Sequence, residues 1–74
     1  MLSDSKLRSK LIQVNLKRIV DNDNLSKELI SKIDMNLSLG HTNKAVDILE
    51  QYQYLVWQID SDVTALLNLL PTEE

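Results

Sequence analysis

Between Asn43 and Leu70 the apolar residues recur at alternating spacings of four and three: Ala45, Leu49, Tyr52, Val56, Ile59, Val63, Leu66 and Leu70. A helix places such a series on one stripe, whereas a strand would need alternation at every second residue. The series therefore reads as a coiled-coil-type seam of about four heptads. Ile48, Leu55 and Leu67 widen it towards the broader face of a globular helix. Pro71 sets the end, because the residue before a proline is pushed out of α conformation.

A helix with such a stripe needs a partner, and the first half of the chain supplies one. Leu7, Leu11 and Val14 recur at helical spacing, as do Ile12, Leu16 and Ile19, and then Leu25, Leu29, Ile30, Ile33 and Leu37. Ser3 or Asp4 can cap this helix. Asp21-Asn22-Asp23-Asn24 interrupts the apolar pattern with residues whose side chains compete for backbone hydrogen bonds. The helix either passes through residues 21–24 or kinks or breaks there, and the absence of Gly or Pro favours passage. Gly40, the single glycine, suits the positive-φ position that ends many helices. Thr42 or Asn43 is the expected cap of the next helix.

The expected architecture is all-α: one antiparallel two-helix hairpin, coiled-coil-like, over residues 1–74. Its helices span about 4–38 and 43–70, with a turn at 39–42 and a disordered tail at 71–74. No other domain fits in 74 residues. A hairpin covers only part of the second helix's apolar face. The surplus must be hidden by a break into three helices or by another chain, so the isolated protein is expected either to self-associate as a homo-oligomer or to be only marginally stable.

Composition closes several function classes. The longest apolar runs are three residues, far short of the ~20 of a membrane span, and the polar start at Ser3-Asp4-Ser5-Lys6 leads to the expectation of no signal peptide. There is no Cys, and His41 is the only histidine, so no metal site is expected. Asp60 and Asp62 diverge on a helix and make no carboxylate pair. No Ser or Thr has a base nearby, and no Gly-rich loop could cradle a phosphate. The expectation is a non-enzymatic cytoplasmic protein with no catalytic residue and no cofactor.

The net charge of −3 hides an asymmetry. Residues 1–20 carry Lys6, Arg8, Lys10, Lys17 and Arg18 against Asp4, while the remainder holds three lysines and ten acids. Nucleic-acid binding through Lys6, Lys10, Lys17 and Arg18 is one alternative, but no readout motif accompanies them and the acidic remainder opposes it. An antiparallel hairpin would bring this basic start near Asp60 and Asp62 instead.

On a wheel centred on Tyr52, Val46, Tyr54 and Trp57 fall far from the seam. Outward Trp and Tyr are typical interface anchors. With Leu55 beside the seam, they form the candidate partner-binding set: Val46, Tyr54, Leu55 and Trp57.

At Glu50-Gln51-Tyr52-Gln53-Tyr54-Leu55, followed by Gln58, Ile59, Leu66 and Leu69, the chain resembles the small co-chaperones of type III secretion needle subunits, the YscE-type family. The likeness extends loosely back through Leu25–Gly40. It implies a bacterial cytoplasmic hairpin that binds a tetratricopeptide-like helical-repeat chaperone, the pair keeping the needle subunit soluble and unpolymerised. A self-associating helical adaptor or regulator is the other protein-binding alternative.

Overall fold

The computed structural model describes residues 4–70. Two helices account for them: α1, Asp4–Ser38, and α2, Thr42–Leu69. They pack on one another as an all-α two-helix hairpin, 55 Å in its longest dimension. The expected cap at Ser3 and the tail at 71–74 lie outside the described residues.

α1 runs without a break through Asp21–Asn24. Local bonds replace the apolar contacts that this segment lacks. Lys17 pairs with Asp21 at 3.6 Å and Lys27 with Asp23 at 3.4 Å, each one helical turn apart. Ser26 Oγ donates to the Asp23 carbonyl at 2.6 Å. Each surface ion pair contributes only a few tenths of a kcal/mol. That suffices where nothing in the backbone demands a break.

The turn is built around Gly40, whose φ is +76°. Behind it, the His41 amide donates to the Asn36 carbonyl at 2.7 Å and the Gly40 amide to the Leu37 carbonyl at 3.1 Å. These bonds use carbonyls that the helix end leaves free, as in a Schellman-type ending. The α2 cap differs from the sequence expectation. Thr42 is already helical, His41 takes the cap position, and no side chain bonds the first-turn amides. The chain re-enters helix so soon after Gly40 that Thr42 and Asn43 are inside the first turn.

Burial follows a strict heptad on both helices. The least exposed α1 residues are Ile12, Asn15, Ile19, Asn22, Ser26, Leu29, Ile33 and Asn36; on α2 they are Ala45, Ile48, Tyr52, Leu55, Ile59, Asp62, Leu66 and Leu69, with Ala65 beside them. This corrects the seam expected for α2. Ala45, Tyr52, Ile59 and Leu66 hold, but Leu49, Val56, Val63 and Leu70 are exposed, and Ile48, Leu55, Asp62 and Leu69 take their place. Leu67, expected to widen the packed face, is exposed as well.

The reason is physical. The α2 apolar stripe is wide enough for two heptads sharing one edge. The observed one includes an aspartate, which an apolar count rejects. Arg18 makes it acceptable by answering the charge.

The α1 seam is half polar. Asn15, Asn22, Ser26 and Asn36 occupy it, and only Leu29 among its apolar members is buried. Polar seam residues specify register at a cost in stability. The hairpin is accordingly thin: no side chain among the described residues is completely buried.

Candidate functional site

The most densely aromatic surface lies on the outer side of α2. Tyr54 and Trp57 are i, i+3 neighbours and pack edge to face, ring centroids 5.6 Å apart and planes at 88°. Both rings stay open to solvent, Tyr54 at 70% and Trp57 at 57%. An edge-to-face pair is worth roughly 0.5–1.5 kcal/mol beyond area burial, so the rings brace one another rather than the fold.

Trp57 forms one wall of an open groove of about 480 Å³ along α2. Val46, Leu49, Tyr52 and Val56 line it together with Glu50 and Gln53. The pattern that produces it is simple. Val46, Gln53 and Asp60 fall on one heptad line, and Leu49 and Val56 on the next line inward. A groove with an apolar lining can take an apolar side-chain row from another helix.

A second groove of similar volume lies between the helices, lined by Leu25, Leu29, Gln51, Tyr54, Leu55 and Gln58. The four expected binding residues are thus distributed. Val46 and Trp57 share the outer groove, Tyr54 and Leu55 the inter-helix groove, and Leu55 itself is half-buried at the helix interface. The Tyr54–Trp57 contact joins the two. Leu49 and Val56 belong to the outer groove although the apolar pattern assigned them to the seam. Their seven-residue spacing is visible in the sequence; its placement beside the packed seam depends on which heptad α1 accepts.

The inter-helix groove borders the only buried charge among the described residues. Asp62 is 3% exposed. Arg18 Nη2 donates to its Oδ1 at 2.6 Å and Gln58 Nε2 to the same atom at 3.3 Å, while Oδ2 has no hydrogen-bond partner. The Arg18 side chain is half-exposed. The sequence placed Asp62 on the surface near the basic start of α1. The partner was of the right kind, but the residue sits at a seam position.

This arrangement draws on the basic face. Arg18 is held by Asp62 and Lys17 pairs with Asp21. Among the described residues no group of three His, Cys, Asp or Glu side chains could hold a metal ion. Asp60 is exposed while Asp62 is buried, so the two carboxylates diverge. No described helix is long and apolar enough to cross a membrane.

No protein-family model, curated protein or solved structure matches this chain.

Proposed function

We propose that the hairpin is a non-enzymatic protein-binding module. It presents the α2 groove of Val46, Leu49, Val56 and Trp57, flanked by Tyr54, to a helical partner. The observation that carries this is the groove itself: an apolar lining along α2 beside an exposed aromatic pair. Truncating an aromatic anchor of this kind commonly costs binding 2 kcal/mol or more.

The resemblance at Glu50–Leu55 supports a finer version. The chain is a type III secretion co-chaperone in the bacterial cytoplasm, binding a tetratricopeptide-like chaperone. The pair buries the needle subunit's amphipathic helix and so prevents premature polymerisation. A partner that covers exposed apolar surface stabilises the hairpin by mass action.

Trp57 is the single tryptophan, so its emission reports directly on the groove. Titration with a tetratricopeptide-like chaperone should shift that emission towards the blue and raise the melting temperature of the hairpin. Trp57→Ala should weaken the complex, measured by calorimetry. A titration with neither a spectral shift nor heat overturns the co-chaperone assignment. Nucleic-acid binding is disfavoured, because Arg18 is committed to Asp62.

A further inference from the structure

The outer face of α2 holds a second, smaller hollow beside the groove. It measures about 350 Å³ and is lined by Glu50, Gln53, Tyr54 and Trp57. Glu50, Gln53 and Trp57 also line the apolar groove, so the two hollows share a wall. A helix docked in the groove can therefore reach the hollow with a side chain one turn from its apolar row.

The chemistry of this hollow is that of a cation site. Tyr54 and Trp57 stand at 88° to one another, centroids 5.6 Å apart. In that arrangement the edge of one ring covers one face of the other. The remaining ring faces stay open, in keeping with the exposure of both side chains. An aromatic face is the negative part of the ring quadrupole and attracts a cation held within about 6 Å. Glu50 adds a carboxylate, and the Gln53 amide oxygen adds a further acceptor.

The hairpin does not supply this cation itself. In the middle of α1 the acids are answered one turn away, Asp21 by Lys17 and Asp23 by Lys27. Glu50 enters no ion pair among the described residues. The reason lies in the sequence. Positions three and four residues from Glu50 hold Val46, Asp47, Gln53 and Tyr54, none of them a cation. Lys44, the only lysine or arginine in α2, lies six residues earlier and about 120° round the helix. The cations of α1 lie across the seam, which Glu50 and Trp57 face away from. Asp47, one turn before Glu50, makes the surroundings more negative still.

We infer that the corner of Glu50, Gln53, Tyr54 and Trp57 receives an arginine side chain, carried by the helical partner beside its apolar row. The inference rests on the reading of the α2 groove as a helix-docking site and names the charge that the partner presents there. A guanidinium fits better than an ammonium. It is planar and less strongly hydrated, stacks on an aromatic face, and offers its donors in a fork that matches a carboxylate. Charge selects the partner, while the apolar row in the groove holds it.

Calorimetric titration of the full chain tests this with three synthetic amphipathic helical peptides. They share one leucine row and differ at a single central residue beside it: arginine, lysine or citrulline, the uncharged isostere of arginine. The arginine peptide should bind about fivefold more tightly than the citrulline peptide, with lysine between them. Glu50→Gln keeps the shape of an exposed side chain and removes its charge; it should bring the arginine-to-citrulline ratio down to about twofold. Trp57→Leu keeps an apolar wall and removes the ring, and should lower the same ratio, so the test does not depend on one variant. Equal binding of the arginine and citrulline peptides, lysine as tight as arginine, or a ratio that neither variant changes overturns the inference and leaves the groove as a helix-docking site. Failure of all three peptides to bind overturns that reading as well.

Discussion

Arg18 and Asp62, 44 residues apart in sequence, join the two helices through a 2.6 Å contact between Nη2 and Oδ1. Burial is unequal: the carboxylate side chain is 4% exposed, the guanidinium side chain 53%. Removing one partner from such a pair therefore costs differently from removing the other. Arg18→Leu leaves a buried carboxylate with only Gln58 to answer it, at a cost of about 1–3 kcal/mol. Asp62→Leu leaves a guanidinium that can turn to water and completes an apolar heptad, so it should be neutral or stabilising. Chemical denaturation of both variants checks this. Equal destabilisation would show that the ion pair itself, rather than the desolvated carboxylate, dominates.

Gly40 makes a second prediction that separates space from conformation. A Cβ at this position meets nothing within 4 Å. Its φ of +76° nevertheless disfavours any L side chain. Gly40→Ala should cost about 1 kcal/mol, and Gly40→Asn should recover part of it, because Asn tolerates the left-handed region better. Thermal melts of the two variants distinguish this from a steric clash, in which the larger side chain would be the worse.

Trp57 and Tyr52 should respond in opposite ways. Trp57 lies opposite the seam, is 57% exposed and packs edge to face on Tyr54, so Trp57→Ala should change folding stability by less than about 1 kcal/mol while weakening a helical partner. Tyr52 is half-buried at a seam position, and Tyr52→Ala should cost about 2 kcal/mol. Equal losses of stability would mean that Trp57 is part of the core.

The helices and the turn were legible because Gly40 and Pro71 punctuate two long periodic stretches and nothing else does. Passage through Asp21–Asn24 was legible on the same ground, and the ion pairs to Lys17 and Lys27 show how it is stabilised. The seam was legible only to within one residue. Ala45, Tyr52, Ile59 and Leu66 fit either heptad. The choice between Val63 and Asp62 depends on Arg18, which periodicity within α2 does not contain. The α1 seam was hidden for a related reason: Asn15, Asn22, Ser26 and Asn36 are polar, so an apolar count follows Leu11 and Leu16 to the flanks instead. The outer aromatics were legible from the wheel, since Trp57 lies opposite either heptad. Their shared groove with Leu49 depended on the seam's register.

That one-residue ambiguity gives the last prediction. Ile48 and Leu49 are adjacent; Ile48 is half-buried in the hairpin seam and Leu49 is 52% exposed on the flank. Ile48→Ala removes packing within one chain and should cost about 2 kcal/mol. Leu49→Ala removes an exposed side chain and should cost less than about 1 kcal/mol. Scanning calorimetry of both variants reads the difference. A Leu49→Ala cost as large as that of Ile48→Ala would return Leu49 to the hairpin seam.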